Sequence, residues 1–479
     1  MQRWGVRAVV GAALSASALS AHAAAQVNIV VGDPPGVGFN DTTPVAPVGG
    51  NPGTTLGDQR LQLFIYVANI WGRNLNSNVP IQVLALFDAL SCSSTSAVLG
   101  AAGPISVWRD FPGARKAGTW YYSALANKLA KTDLDPVPSP TGDDLDIVAF
   151  FNGNLGNPGC LDGVTFYLGF DGKAAPNQIN LATTLLHELG HGLGFSTITS
   201  GLTGAQYGGF PSIWDHYMLD DTTHKRWVDM TSAERRQSAL VPRNLVWRGD
   251  ETTDDVEKVL VEGTPELLID APKSVKGPYL VGVAPGFGAP LRFKPVKGQI
   301  ARVVDQASGL GLACTPLDAL NQQAVNGRIA LVDRGSCAFT TKVANAQAAG
   351  AIGVIIADNV AGTPPPDLGG VASGLSIPAV RITQADGARI KAAIGAVRVH
   401  DEGPAAQLYL NRDKRRGADT EHRAYLFTPN PYLRGSSVSH WDTSATPNLL
   451  MEPYINSDLT QFVSAPYDLT LELLHDIGW

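Results

Sequence analysis

Residues 181–194 read LATTLLHELGHGLG. Leu181, Leu185, Leu186 and Leu189 recur at helical spacing, Asn180 stands where an N-cap is expected, and Gly194 stands where a helix stops. His187 and His191 are four positions apart, so one face of that helix presents two imidazoles a turn apart. Glu188 lies beside them. The pattern H-E-x-x-H on a helix is that of two imidazole ligands to one zinc ion, with the glutamate as general base. A chance match on a surface helix is the competing reading, but the apolar context and the continuation Gly192-Leu193-Gly194 speak against it.

Catalytic zinc takes three protein ligands and keeps one position open for water. The compact pattern H-E-x-x-H-x-x-G-x-x-H supplies the third from the same stretch. Here Gly194 is present, but Thr197 stands where the third histidine belongs, and threonine is a poor zinc ligand. The candidates left are His216, His224, His400, His422, His440 and His475. Glu251 and Asp254 imitate a glutamate ligand, yet they lie in a polar stretch with no helical apolar face.

Residues 439–479 read SHWDTSATPNLLMEPYINSDLTQFVSAPYDLTLELLHDIGW. This tail resembles that of leishmanolysin-type metzincins, as does HELGHGLGFS at 187–196. The resemblance covers 403–479 well and 26–260 loosely. It implies a third ligand far downstream, at His440. It also implies a Met-turn at Leu450-Met451-Glu452-Pro453, with Met451 as a hydrophobic floor under the zinc, and a last helix ending in Asp476-Ile477-Gly478-Trp479. The implied fold class is α+β, a metzincin-like zinc protease domain. The implied activity is hydrolysis of peptide bonds by metal-activated water, on one zinc ion.

The long span between His191 and His440 calls for a compact insertion. Strands at 328–332, 353–357 and 377–382 alternate with helices at 340–349 and 384–394, as in an α/β unit. Residues 327–337 (GRIALVDRGSC) with Phe339, Lys342-Val343, 346–351 and Ile377-Pro378-Ala379-Val380 resemble a protease-associated (PA) domain. The resemblance implies a non-catalytic lid or docking module. A unit whose ends lie close together can sit in a host loop. The expected division is therefore a signal at 1–25, a protease part at 26–275, the inserted domain at 276–402 and the remaining protease part at 403–479. A nucleotide-binding reading of the insert fails for want of G-x-G-x-x-G after a strand or a Walker loop.

Residues 1–25 have the order of a secretory signal. Arg3 and Arg7 come first, then a short apolar run, then small residues at Ala21, Ala23 and Ala25. The expected location is extracellular or periplasmic. Four cysteines suit an oxidising compartment, and pairing inside each expected domain gives Cys92–Cys160 and Cys314–Cys337. Removing two positive charges with the signal takes the formal charge from −7 to −9. Such a chain has no basic footprint for nucleic acid. Protein or peptide substrates are the expected partners, with no membrane span.

Elsewhere, helices are expected at 59–75 and from Thr231, which has capping-box spacing to Glu234. Strands are expected at 80–87, 144–151 and 164–170, and 403–435 reads as polar and irregular. Strand 144–151 is either a cleft edge, to which an extended peptide could add, or a plain core strand. Tyr454 reads as a packing residue, and His216 as a surface or packing histidine rather than a second metal ligand. Two rival functions fit the same residues: an inactive binding or adhesion protein built on the PA-like module, and a zinc hydrolase of a non-peptide bond. The intact Glu188 speaks against the first.

Overall fold

The computed structural model describes residues 24–135, 144–304, 310–395 and 403–479. The expected signal, up to residue 23, and His400 lie outside the described residues.

Val27–Val31 (β1), Ile81–Asp88 (β2), Gly100–Pro104 (β3) and Ile147–Asn152 (β4) form a sheet in the order β1-β2-β4-β3. β1, β2 and β4 run parallel, and β3 pairs antiparallel with β4. Of the two readings of 144–151, the core strand holds and the cleft edge is corrected. β4 is flanked on both sides, as suits its continuous apolar run IVAFF. The edge is β3, whose sequence GAAGP carries little strand propensity.

Leu56–Asn74 (α1) starts at Thr55, whose hydroxyl accepts from the Asp58 amide at 3.2 Å, and buries Leu63, Phe64, Val67 and Trp71. Ser123–Ala130 (α2) and Leu181–Leu193 (α3) follow, and α3 packs on β3, β4 and α1. Ser232–Ser238 (α4) opens with the reciprocal Thr231–Glu234 capping box. The polar stretch at 250–259 is a helix, Asp250–Val259 (α5), which buries only Thr252, Val256 and Val259. Its first turn is held from outside, by the carboxylate of Asp476.

A second, eight-stranded sheet comprises Glu262–Ala271 (β5), Gly277–Tyr279 (β6), Gly282–Val283 (β7), Val296–Arg302 (β8), Ile329–Asp333 (β9), Gly353–Ala357 (β10), Ala379–Ile382 (β11) and Ala405–Arg415 (β12). Its order is β6-β5-β12-β8-β9-β10-β11-β7, with β8 to β11 parallel. Ala319–Val325 (α6), Phe339–Ala348 (α7) and Gln384–Gly395 (α8) connect these strands. One face packs around Leu267, Ile329, Ile355 and Leu408, the other around Val325, Val332, Val343 and Ile356. The sheet reaches past 276–402 on both sides. β5 lies in what reads as host sequence, and β12 in a stretch that reads as irregular. They pair with each other, Glu262 opposite Arg415, so each is stabilised by a partner distant in sequence.

The core around α3 draws on residues from Ala25 to Leu260 and again from Ala418 to Trp479, and, among the described residues, on none between. The chain leaves that core and returns to it at neighbouring points. Thr470–Ile477 (α9) closes the host, and Gly478 follows it at φ +134°. Cys92–Cys160 and Cys314–Cys337 are both disulfide-bonded. No helix among the described residues is long and apolar enough to cross a membrane.

Candidate metal centre

α3 begins where the Asn180 side chain accepts from the Ala182 amide at 3.0 Å and ends at Gly194, which takes φ +119°. Two glycines inside the helix permit close approach. A methyl group at Gly190 would lie 2.7 Å from Met451 Sδ, and one at Gly192 would lie 2.5 Å from Ile147. Met451 is fully buried under the helix beside the histidine pair. A third glycine, Gly100 on β3, leaves room for Glu188, whose Cγ would meet an added methyl at 2.9 Å.

His440 reaches this helix face from the far end of the chain. The Nε2 atoms of His187, His191 and His440 stand 3.1, 3.1 and 3.2 Å apart. Each ring is oriented from behind: Nδ1 donates to the carbonyl of Leu450 at 2.7 Å for His187, of Phe195 at 2.8 Å for His191, and of Ser436 at 2.8 Å for His440. A carbonyl only accepts, so the proton sits on Nδ1 and each Nε2 presents a lone pair. Burial pushes His187 down to about 4 and, with the His187 ring beside it, His191 down to about 3. Burial and the other two rings hold His440 well below its ordinary value. Three neutral acceptors thus converge with no donor among them.

That arrangement suits a cation. Zinc–nitrogen bonds of about 2.0–2.1 Å place neighbouring tetrahedral corners about 3.3 Å apart, close to the spacing here. Among the described residues, these three are the group of histidine, cysteine and acidic side chains placed to share one ion. Glu188 is buried next to them. Desolvation pushes its carboxyl up to about 8, opposed by a hydrogen bond with the Ala102 backbone. A cation on the imidazoles favours the carboxylate form and counters that rise.

Thr197, where a compact site would have its third histidine, faces Asp215 instead, with Oγ1 to Oδ1 at 2.6 Å. Asp215 also accepts from Thr199 and from the Ser212 amide and hydroxyl. The Thr197 amide and Ser196 hydroxyl donate to Ser439 Oγ at 3.3 and 3.0 Å, next to His440. The stretch just after α3 therefore braces the residue beside His440. The sequence reading missed this role of Asp215. The segment around Met451 is tied in as well: the Trp441 amide donates to the Met451 carbonyl at 2.9 Å, and the Leu450 amide to Asp468 at 2.6 Å.

The centre opens on a cleft of about 860 Å³ lined by residues 95–103, 434–436 and 452–455. Tyr122 also lines it, and burial raises its hydroxyl to about 12. Tyr454 is exposed at the rim and meets Phe427 edge-on. His216 lies away from the three ligands, with Nε2 3.0 Å from Thr119 Oγ1. Glu251 and Asp254 sit on α5, outside the cleft lining.

The family model described as a PA domain matches residues 296–390. The chain is thus a mixed α/β protein that includes a PA-domain segment. It is 35% identical over 72 residues to minor extracellular protease Vpr of Bacillus subtilis (strain 168), covering 15% of this chain and 8% of that one. It is 31% identical over 137 residues to vacuolar-sorting receptor 3 of Arabidopsis thaliana, covering 27% of this chain and 22% of the receptor. The chain therefore spans less than a quarter of either curated relative. Among solved structures, BSAP, a zinc aminopeptidase from Bacillus subtilis, shares 23% identity at a TM-score of 0.22, covering 33% of this chain and 36% of that one. The aminopeptidase from Aneurinibacillus sp. strain AM-1 shares 18% at 0.23, covering 42% of each chain.

Proposed function

We propose that this chain is a secreted, zinc-dependent peptidase of metzincin type. The observation that carries the reading is the convergence of three bare Nε2 atoms over Met451, beside Glu188 and at the floor of an open cleft. His187, His191 and His440 would hold one zinc ion. Bound there, zinc supplies Lewis acidity and lowers the pKa of its water to about 7. Glu188, buried beside the three imidazoles, would accept a proton from the attacking water and pass it to the departing amine. β3 offers an unpaired edge along the cleft, so an extended peptide adds to it by backbone hydrogen bonds, which orients the scissile carbonyl toward Glu188. The small residues of β3 leave space for the substrate backbone. Two disulfides, one of them fastening residue 92 near the cleft wall to residue 160, suit an exported enzyme.

The test pairs metal content with turnover. Glu188→Gln is expected to keep one zinc per chain while casein or peptide hydrolysis falls by about 10²–10⁴-fold. His440→Ala is expected to lose both metal and activity. Normal chelator-sensitive hydrolysis by Glu188→Gln would overturn the role of the glutamate. Full zinc content in His440→Ala would overturn the ligand set.

A further inference from the structure

We propose that Arg434 selects substrates of this cleft, favouring peptides with a carboxylate close to the bond that is cut. The inference rests on the peptidase reading above and names the substrate class. Among the described residues, Arg434 is the one lysine or arginine that lines the cleft. Its guanidinium has no ion pair or hydrogen bond among the described residues, so its donors are available to a ligand.

Its place is fixed by a tight turn. The Ser437 amide donates to the Leu433 carbonyl at 2.9 Å, the Leu433 amide donates to Ser437 Oγ at 3.0 Å, and Gly435 takes φ +82° between them. That turn also presents the Ser436 carbonyl to His440 Nδ1. Two residues of chain span at most about 7 Å, so the cation is tethered within a few substrate residues of the ligand it neighbours. The planar guanidinium matches a carboxylate through two parallel hydrogen bonds.

No lining acid competes for it. Glu188 is committed to the centre. Glu452 turns inward, accepting from the Leu449 amide at 2.9 Å and from Asn456 Nδ2 at 3.2 Å, and burial pushes its carboxyl up to about 9. The whole chain carries a formal charge of −7, so its long-range field repels acidic peptides. A preference for such peptides would therefore report a local contact and not the net charge.

Binding is read first, on zinc-loaded Glu188→Gln, by fluorescence anisotropy with matched peptides. Each pair carries Glu or Gln at one of three positions on either side of a central bond. A further pair differs only in a free or amidated C-terminus. The Glu peptide is expected to bind about three- to tenfold tighter than its Gln partner at one position. Adding Arg434→Gln should erase that ratio, and Arg434→Glu should invert it in favour of the Gln peptide. If only the terminal pair responds, the recognised carboxylate is the end of the chain. Equal binding within each pair, or a preference that survives Arg434→Gln, overturns the proposal. Chelator-sensitive cleavage of the Gln peptides by the wild-type chain tests the peptidase reading separately, so the two can fail independently. Arg434 is exposed, and a thermal melt matching the wild type shows that each variant is folded.

Discussion

Gly190 and Gly192 explain how the helix that carries His187 and His191 packs tightly against its neighbours. Each glycine costs a helix interior about 1 kcal/mol relative to alanine. Here the cost is offset because Met451 and Ile147 approach where side chains would stand. At this scale the sequence was informative: the four-residue spacing singled out His187, Glu188 and His191, the resemblance of the tail singled out His440 and Met451, and the fold brings these residues together. What stayed hidden was the company of these residues, because Asp215, Ser439 and Thr197 interact through contacts that no local spacing reports. Buried acids behind the site were equally hidden, and Glu472 is the most testable. Its Oε1 accepts from the Ala465 amide at 2.9 Å, while Oε2 is buried without a partner among the described residues. Desolvation, with the charges of Asp468 and Asp255, lifts its carboxyl from 4.5 to about 7. A folded-state value above the unfolded one stabilises the fold fully below pH about 4.5 and loses that contribution as pH rises through about 7. Glu472→Gln, neutral throughout, is therefore expected to gain roughly 2–3 kcal/mol over wild type between those limits. Urea unfolding at pH 4 and pH 8 measures it, and a difference that does not change with pH would contradict the assignment.

α5 is an element that its own residues specify poorly. A run of acidic and hydroxyl residues with three buried positions reads as a turn, and the helix exists because another element caps it. Asp476 accepts from the Glu251 amide at 3.0 Å, the Thr252 amide at 3.3 Å, the Thr252 hydroxyl at 2.7 Å and Trp247 Nε1 at 2.9 Å. Gly249 precedes the helix because a methyl group there would fall 1.8 Å from that carboxylate. The terminal Asp-Ile-Gly-Trp run thus has two structural tasks, since Trp479 Nε1 also donates to the Leu193 carbonyl at the end of α3, at 2.7 Å. The motif was visible in the sequence, but its partners lie more than two hundred residues away. Asp476→Ala is expected to destabilise the host by about 2–4 kcal/mol, from a lost cap and buried donors left unpaired. Amide exchange should quicken first at residues 251–254. Asn, which keeps one accepting oxygen, should recover part of the loss. Unchanged exchange at the start of α5 in the alanine variant would show that the helix does not depend on the cap.

On the scale of the molecule, the two sheets form separate cores joined where β5 and β12 lie side by side. Strand pairing between residues 262 and 415 is a long-range fact, and for that reason the sequence placed the boundaries too far inward on both sides. The junction also carries a link to the centre. The Thr363 amide donates to the Asn430 carbonyl at 2.9 Å, and the Asn430 amide returns a bond to Thr363 at 2.8 Å. Asn430 leads into the segment that ends at His440, through the Ser436 carbonyl that orients the ligand. Replacing residues 262–415 with a short Gly-Ser linker removes the inserted sheet without cutting the host core, which contains none of those residues. The shortened chain is expected to unfold in one cooperative transition and to bind one zinc, since all three proposed ligands remain. Amides at 428–436 should exchange faster, and kcat/KM on an unstructured peptide should fall several-fold, because the ligand loop has lost an anchor while its chemistry is intact. A shortened chain without a cooperative transition would mean that the insert is part of the host's folding unit. Unchanged exchange at 428–436 would mean that the Thr363–Asn430 contact does not hold the loop.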